Sequence, residues 1–455
     1  MPRLVSLNLM PKINPSINPS TLLPSTSLGM VRGMVSLSNH RINGEPSRTI
    51  KFFTLGCKAN QYDTQSIRER FLSKGFKEAA QPVQPDYFLV NTCTVTSGAD
   101  QKSRNIIRRC IQAAPGARVI VTGCLAEKDA SQLKRIKGIG LIIKKSFFPE
   151  SISSFSQHTR AFLKIQDGCS NFCTYCKVAL VRGGERSKKL KQILQEARQL
   201  VACGHKEIVL TGICLGAYGR SSSVKENLVD VVGCLEKIKG LARIRLSSIE
   251  ASDVSPGLIK YMRHSKKLCR HLHIPMQSGD NHILKLMNRK FSRKKYENLI
   301  SRLKLNIPGI SITTDCLVGF PGETEDSFQN TIDLVRKIMP LKVHIFPYSS
   351  RPQTKAAKFK GVVNSKTIRL RCKQLAEVAK ECRKKFMQEF LDQNVDVLIE
   401  GKVKDNPELL EGLTDNYLKV KLPFRPGLGN LIVRARLKSI RGDSFIGEYV
   451  DNIQF

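Results

Sequence analysis

The sequence predicts an α/β protein made of an amino-terminal parallel-sheet domain, a central incomplete barrel of six strand–helix units, and a small carboxyl-terminal β-barrel. Three observations predict this order. Near the amino terminus, three strand-like segments alternate with helical patterns, and each ends in a cysteine. Six further strand–helix units follow, and the tail then changes to short strands separated by glycines. Strands that alternate with helices imply parallel sheets with right-handed crossovers.

The first predicted domain covers residues 49–150. Its three strands end at Cys57, Cys93 and Cys124, and helical patterns separate them at about 61–73 and 98–113. Parallel strands present their carboxyl ends at one edge of a sheet, where ligands bind, so the three thiols are predicted to converge. Any one of these cysteines is readily explained as structural. Three of them at equivalent strand ends favour a three-cysteine cluster, because thiolates are the ligands of iron–sulfur clusters.

The central predicted domain covers residues 155–385 and contains the six barrel units. Six units indicate an incomplete barrel, whose catalytic end is formed by the carboxyl ends of its strands. The strands are predicted near 161–167, 207–213, 243–249, 271–276, 311–318 and 342–347.

A loop with three cysteines follows the first barrel strand. Cys169, Cys173 and Cys176 have C-x₃-C-x₂-C spacing, and thiolates suit iron–sulfur clusters or zinc. A 4Fe–4S cluster has four irons, so three sulfurs leave one iron open to the amino and carboxylate groups of S-adenosylmethionine (SAM). Radical chemistry of this kind belongs to the cofactor, which the protein holds and orients. A three-ligand zinc site or buried thiols are the alternatives.

Other candidate residues lie at the carboxyl ends of the barrel strands or close the cysteine loop. Hydroxyl groups there can bond a ribose, and a Gly-Phe-Pro-Gly turn can pass close to an adenine because glycine lacks Cβ. A lone histidine such as His273 is more often a core residue than a ligand. The candidates for SAM binding are Arg182, Gly183, Thr211, Gly212, Arg245, Ser247, Gln277, Gly319, Gly322 and Glu323.

The tail begins with a basic helix and ends in strands. Residues 351–390 contain twelve Lys and Arg, and a helical pattern runs from Ser365 to Phe390. Such a charge run is either a solvated helix face or a phosphate-binding surface. Four strands, at 395–400, 416–421, 431–437 and 445–450, predict a small barrel over 390–455, related in shape to OB-folds, which commonly bind nucleic acids.

The composition points to a polyanionic partner. The 455 residues carry a formal net charge of +37, which favours nucleic acid, with an acidic membrane surface as the alternative. No apolar run approaches the roughly 18 residues of a membrane helix. Fourteen cysteines in a chain of this length fit reduced thiols and a cytosolic metal site. Eight without a motif are expected to be small buried hydrophobic residues: Cys110, Cys203, Cys214, Cys234, Cys269, Cys316, Cys372 and Cys382.

Residues 1–48 are rich in Ser, Pro and Asn and contain a single acidic residue, Glu45. We expect a disordered extension. An organellar transit peptide is a second interpretation, although arginine is sparse. A misplaced start codon is a third, since Met30 and Met34 lie near the folded region.

Residues 49–455 resemble the radical-SAM methylthiotransferases, and most closely the tRNA threonylcarbamoyladenosine methylthiotransferases. Three stretches, 54–63, 91–96 and 122–124, match the amino-terminal domain of that family. Three others, 162–169, 210–219 and 271–275, match its barrel. One departure is the segment 177–181, where the family usually has an apolar, proline-containing sequence.

The resemblance implies two 4Fe–4S clusters, SAM and a substrate in the anticodon stem-loop of tRNA. It implies Cys169, Cys173 and Cys176 as ligands of the SAM-binding cluster, and a carboxyl-terminal RNA-binding TRAM domain. It implies Cys57, Cys93 and Cys124 as ligands of an auxiliary cluster. A reducing electron donor, a sulfur donor and a cytoplasmic location without a membrane are expected. Isopentenyladenosine in tRNA, an aspartate of a ribosomal protein, and an RNA-binding module with structural zinc remain alternatives.

Overall fold

A computed structural model gives the structure of the chain and describes residues 48–80, 83–144, 151–155, 158–220 and 224–450. The predicted disordered extension lies outside the described residues except for Arg48. The segment Thr49–Phe455 forms one compact unit. The fold class predicted from the sequence is confirmed, whereas the exact domain boundaries stay predictions.

The first domain is a parallel sheet with the strand order β2-β1-β3-β4-β5. Two short edge strands, β2 and β5, join the three that the sequence predicts, and helices pack against the sheet. Helix α2 begins after Thr96, whose hydroxyl accepts a hydrogen bond from the amide of Ala99, a capping contact that the sequence Thr-Ser-Gly-Ala allows. The elements are β1 Thr49–Thr54, α1 Lys58–Ser73, β2 Lys77–Glu78, β3 Tyr87–Thr92, α2 Ser97–Ala113, β4 Arg118–Gly123, α3 Cys124–Lys134 and β5 Ile139–Ile142.

The central domain contains six parallel strands in two three-stranded sheets, β10-β9-β6 and β11-β12-β13. Isolated parallel bridges, including Ser248 to His273, join the two sheets. Helices cover the outer face. The elements are β6 Ala161–Lys164, β7 Gln166–Asp167, α4 Val178–Arg182, β8 Arg186–Ser187, α5 Leu190–Ala202, β9 Glu207–Thr211, α6 Leu228–Glu236, β10 Arg243–Leu246, α7 Pro256–His264, β11 His271–His273, α8 Asn281–Leu286, α9 Arg293–Asn306, β12 Ser311–Val318, α10 Glu325–Ile338, β13 Lys342–Pro347 and α11 Ser365–Gln388.

The barrel is open between β6 and β13, which are the end strands of the two sheets among the described residues. The first domain contacts both sides of this opening. On the β6 side, Asp63 of α1 accepts a hydrogen bond from Lys164 Nζ at 2.7 Å. On the β13 side, Arg351 Nη2 contacts Asp100 Oδ2 at 2.8 Å and Thr94 O at 2.9 Å. The first domain therefore closes the gap in the barrel wall.

The carboxyl-terminal domain is a closed five-stranded barrel in the order β14-β15-β16-β18-β17. The sequence predicts four of these strands and misses β15. Residues 406–414 read Asn-Pro-Glu-Leu-Leu-Glu-Gly-Leu-Thr, which is rich in helix formers. Antiparallel pairing with both β14 and β16 outweighs this local preference. The strands are β14 Asn394–Val403, β15 Asn406–Thr414, β16 Lys419–Pro423, β17 Ile432–Arg441 and β18 Ser444–Tyr449.

The loop between β15 and β16 forms the floor of the central barrel. Arg245 Nη1 and Nη2 donate to the carbonyls of Asp415 at 2.8 Å and Thr414 at 3.0 Å. The ring of Tyr417 stacks on His271, with the centroids 4.5 Å apart and the planes at 16°. Because β10 and β11 begin near these contacts, the small barrel lies at the end of the central barrel opposite the cysteine loop.

Within the described residues, no helix is long and apolar enough to cross a bilayer. Of the eight cysteines without a motif, five are buried as expected. Cys203 is exposed, contrary to the expectation, because it follows the end of α5 at the surface. Cys234 and Cys372 are partly buried on helix faces.

Candidate active site

The cysteine loop is held by backbone contacts on both sides. The amide of Cys169 donates to Gly183 O at 3.1 Å, and the amide of Thr174 donates to Met287 O at 3.1 Å. Gly168 has φ +75°, and a Cβ at this position would lie 1.9 Å from Gly184 O. Only glycine allows the chain to pass here, so the loop is fixed at the carboxyl end of the barrel.

The three thiols of the loop lie in different environments. A hydrogen bond from Cys214 lowers the pKa of Cys169 to about 7. Burial, with a smaller contribution from the neighbouring Cys173 and Cys169, raises the pKa of Cys176 to about 12. Burial also raises the pKa of Cys173, against the effect of Arg289, whose Nη1 is 3.5 Å from the sulfur. The three sulfurs therefore lie within electrostatic range of one another, and the sulfur of Cys173 lies beside the guanidinium of Arg289.

The second cysteine set lies at one edge of the first domain's sheet, as the alternation of strands and helices predicts. Cys93 and Cys124 directly follow β3 and β4, and Cys57 follows the end of β1 after Leu55 and Gly56. Gly56 has φ +99°, and a Cβ there would lie 2.8 Å from Cys93 Sγ. The amide side chain of Asn60 connects the strand ends, since Nδ2 donates to Thr92 O at 3.0 Å and Oδ1 lies 3.7 Å from Cys124 Sγ.

Both cysteine sets fit a cluster better than a single ion. Tetrahedral zinc with Zn–S bonds of about 2.3 Å places its sulfurs about 3.8 Å apart. Among the described residues, neither set brings its three sulfur atoms within 4.8 Å of one another. A cluster of several irons spreads its ligands over a wider shell than one ion does. The separation of the thiols within each set therefore agrees with iron–sulfur ligation.

Arg182 connects the two cysteine sets. Its Nη1 donates to both carboxylate oxygens of Asp167, at 2.8 and 3.0 Å, and its Nη2 donates to Asn60 Oδ1 at 2.6 Å. The same nitrogen pairs with Asp63 at 3.2 Å. The carboxylates of Asp63 and Asp167 raise the pKa of Arg182 well above its usual value against the effect of burial.

The sequence places Arg182 and Arg245 among the SAM-binding candidates, and the structure gives both another role. The Nη1 and Nη2 groups of Arg182 bind side chains of the two domains that it joins. Arg245 is buried, and its Nε donates to Glu207 Oε1 at 2.6 Å while its other nitrogens hold the floor of the barrel. Both guanidinium groups thus contribute to domain docking, and their assignment to cofactor binding stays a prediction.

The remaining candidates lie at the carboxyl ends of the strands. Ser247 Oγ accepts the amide of Gly212 at 3.4 Å, so the ends of β9 and β10 meet. The hydroxyl of Thr211 donates a hydrogen bond to Val209 O at 3.1 Å. Gly183 directly follows α4 and has φ +71°. Gln277 has φ +67°, and its amide and carbonyl bond to the backbone of β12.

The Gly-Phe-Pro-Gly turn is rigid because a buried carboxylate supports it. Glu323 Oε2 accepts the amide of Gly319 at 2.7 Å and Arg371 Nη1 at 3.0 Å. Gly319 has φ +80°, and Gly322 has φ +86° with its amide bonded to Gly361 O at 2.8 Å. Glu323 therefore positions the turn through its own contacts.

Two residues near the loop, Gln166 and Arg289, were not predicted. Gln166 Nε2 donates to Gly168 O at 2.9 Å, and its Oε1 accepts the amide of Cys214 at 2.8 Å. Arg289 forms a buried bidentate pair with Glu250 and donates to Pro275 O at 3.1 Å. Gln166 lies near the end of the predicted first strand, and this position was an available signal. Arg289 lies 113 to 120 residues from the loop cysteines, and no spacing rule points to it.

Comparisons with known proteins agree with this geometry. Residues 49–143 match the family described as uncharacterized protein family UPF0004, and residues 163–335 match the Radical SAM superfamily. A relative from Bacillus subtilis, threonylcarbamoyladenosine tRNA methylthiotransferase MtaB, is 34% identical over 422 residues, which cover 86% of this chain and 93% of the relative.

A second type of relative is nearly as similar. The tRNA-2-methylthio-N(6)-dimethylallyladenosine synthase of Acetivibrio thermocellus is 32% identical over 434 residues, which cover 87% of this chain and 90% of the relative. Among solved structures, the radical S-adenosylmethionine methyltransferase TsrM from Kitasatospora setae matches with a TM-score of 0.52 and 12% identity, covering 68% of this chain and 77% of that chain. At this identity the match concerns the fold alone.

Proposed function

Because the chain belongs to the radical-SAM methylthiotransferase family, we propose that it adds a methylthio group to threonylcarbamoyladenosine next to the anticodon of tRNA. The observation that carries the proposal is the pair of cysteine sets, one at the carboxyl edge of each of two domains, which Arg182 joins across the domain interface. Enzymes of this family use SAM and two 4Fe–4S clusters. The substrate assignment is supported by the relatives of the first type.

In this proposal, Cys169, Cys173 and Cys176 hold the SAM-binding cluster, and Cys57, Cys93 and Cys124 hold the auxiliary cluster. When bound, these groups supply the one-electron cleavage of SAM and the sulfur for transfer. The chain's own residues orient and enclose the site. Backbone contacts fix the cysteine loop.

The turn at residues 319–322 and the paired ends of β9 and β10 form candidate SAM contacts on the same face as the loop. The target base is proposed to leave its stacked position and enter the barrel, as is general for enzymes that act on a base. The basic helix α11 and the carboxyl-terminal barrel are proposed to contact tRNA phosphates. A cytoplasmic location, a reducing electron donor and a sulfur donor complete the proposal.

The test is nucleoside mass spectrometry of tRNA from a strain that lacks the gene. Loss of 2-methylthio-threonylcarbamoyladenosine, with accumulation of its unmethylthiolated precursor, is expected. Dimethylallyladenosine is the second candidate substrate, since relatives that are named for it are 32–34% identical to this chain. Loss of the methylthio derivative of dimethylallyladenosine instead would replace the first assignment with the second.

The division of labour between the cysteine sets is tested with two variants. Cys173→Ala is expected to abolish formation of 5′-deoxyadenosine, because an iron ligand of the SAM-binding cluster is lost. Cys93→Ala is expected to retain part of the SAM cleavage and to lose the methylthio product. Iron content and circular dichroism control for misfolding, since metal binding is coupled to folding. An unchanged product yield in Cys93→Ala would exclude the auxiliary-cluster assignment.

A further inference from the structure

Three polar side chains lie side by side on the inner face of the central barrel, above the floor formed by Tyr417. In the strand register, His273 pairs with Thr313, and Asp315 pairs with His344. Their neighbours of opposite orientation, including Leu272 and Val343, belong to the hydrophobic core beneath the outer helices. Since side chains alternate between the two faces of a strand, His273, Asp315 and His344 point into the barrel.

The three residues form one connected group, which we call the polar wall. His273 Nδ1 is 2.9 Å from Thr313 Oγ1, and His273 Nε2 is 3.3 Å from Asp315 Oδ1. The ring of His344 lies 5.7 Å from that of His273. One nitrogen or oxygen atom from each of the three residues lies within 4.8 Å of the other two. Burial lowers the pKa of His344, and Lys342 and Lys58 lower it further.

The polar wall borders open space within the barrel. The side chains of His273 and Asp315 remain 18% and 24% exposed, whereas His271, one layer lower, is buried against Tyr417. The inner face is therefore filled at the floor and open at the level of the wall. His273 and Asp315 lie nearer to the carboxyl ends of β11 and β12 than His271 and Thr313 do, on the side of the barrel where the cysteine loop lies.

A lysine from the first domain reaches the same space. Lys58 is the first residue of α1 and directly follows Cys57. It lies within electrostatic range of Tyr417, His271 and His344, and its charge contributes, after larger effects, to the lowered pKa of each. Among the residues that the structure describes, Lys58 has no hydrogen-bond or ion-pair partner for its ammonium group. A half-buried cation without a counter-ion is suited to an anionic group of a substrate.

We propose that Lys58 and the polar wall of His273, Asp315 and His344 recognise the threonylcarbamoyl group of the substrate and thereby select it over dimethylallyladenosine. This inference rests on the proposed function and names the residues that determine its substrate. The threonylcarbamoyl group carries a carboxylate, a hydroxyl and urea N–H groups. Lys58 donates to the carboxylate, and Asp315 accepts from the hydroxyl or an N–H group.

Selection against dimethylallyladenosine follows from the same residues. The dimethylallyl group has no hydrogen-bonding atom, so it would take water from the polar wall and from Lys58 without offering either a hydrogen bond. Sites built to bond a polar substituent reject an apolar analogue strongly for this reason. An apolar substrate of similar size would instead require an apolar wall at the level of His273.

The experiment uses the reconstituted holoenzyme and three anticodon stem-loop RNAs, which carry threonylcarbamoyladenosine, its threonine methyl ester, or dimethylallyladenosine. Dissociation constants and single-turnover methylthio yields are measured for the wild type, Lys58→Met, Lys58→Arg and His344→Phe. Lys74→Met is the matched control, because Lys74 is exposed at the other end of the same helix. The wild type is expected to bind the acid at least about tenfold more tightly than the ester, the range of a charge-assisted hydrogen bond.

Lys58→Met should abolish this acid-over-ester preference, Lys58→Arg should restore part of it, and Lys74→Met should leave it unchanged. His344→Phe should lower the yield on the acid relative to dimethylallyladenosine. If the wild type modifies the acid but all the variants keep its preference, the recognition inference fails and the proposed function stands. If the wild type modifies only dimethylallyladenosine, both fail. A stoichiometric divalent metal lost specifically in His344→Phe would also overturn the inference, because the wall would then be a metal site.

Discussion

Arg182 is expected to control how firmly the first domain is docked on the barrel. Its side chain is 3% exposed and neutralises Asp63 and Asp167, which are 11% and 8% exposed, together with Lys164. In Arg182→Met the two carboxylates share one ammonium group. Removing one partner from a buried ion pair costs about 3–5 kcal/mol, which corresponds to roughly 100-fold to 4,000-fold in an opening equilibrium.

Native-state hydrogen exchange of the α1 amides measures this opening, because protection reports the local unfolding equilibrium. The matched control is Arg434→Met, whose pair with Asp396 is about half exposed on both sides and is worth less than about 1 kcal/mol. Protection of α1 should fall by at least about 100-fold in Arg182→Met, by the conversion used above. A fall of less than about tenfold would refute the proposed role of this network.

The pH dependence gives a second measurement on the same variant. Burial raises the pKa of Asp167, but Lys164 and Arg182 lower it to about 2. A carboxyl whose pKa is lower in the folded state stabilises that state above its unfolded pKa of about 3.9, and this contribution is lost as the pH falls towards 2. Without Arg182 the pKa of Asp167 rises. The difference in opening free energy between the wild type and Arg182→Met is therefore expected to be largest at pH 8. It should shrink as the pH falls through the raised pKa of Asp167.

Three further predictions concern the cofactor, the floor and the RNA. Arg289→Met removes a positive charge 3.5 Å from Cys173 Sγ. If the reduced cluster loses about 1.4 kcal/mol of stabilisation, the reduction potential should fall by roughly 60 mV. An EPR-monitored redox titration that finds no shift would contradict this. Tyr417→Ala removes a partly buried ring stacked on His271 and should cost about 1–3 kcal/mol, less than for a fully buried aromatic ring. The cost is measured as a lower thermal midpoint, and an unchanged midpoint would argue against the floor contact. Because the net charge is +37, tRNA affinity should fall at least about tenfold between about 50 and about 200 mM salt, and a flat salt dependence would exclude phosphate-dominated binding.

The features that the sequence predicted correctly depend on local signals. The strand ends at Cys57, Cys93 and Cys124 were predictable because parallel strands share an edge. The six barrel strands followed from apolar runs separated by helical patterns. The strand β15 was missed because its residues favour helix and only its neighbours in the barrel make it a strand.

Charged residues were harder to assign, because their roles depend on partners that are distant in the chain. Arg245 occupies a strand of the catalytic barrel, but its partners include Thr414 and Asp415, 169 and 170 residues away. The sequence identified His273 as a core residue, yet its neighbours on β12 and β13 make it part of a polar surface. Lys58 had no sequence signal beyond its position after Cys57.

The floor of the barrel has a consequence for how this protein can be divided. Tyr417 belongs to the carboxyl-terminal domain, yet it stacks on His271 at the floor of the central barrel. Lys58 belongs to the first domain, yet it lies within electrostatic range of the same histidine. Grafting the middle domain alone onto a related enzyme would therefore transfer the barrel without the loop that closes its lower end and without Lys58. Altered substrate choice in such a hybrid requires exchange of all three segments together.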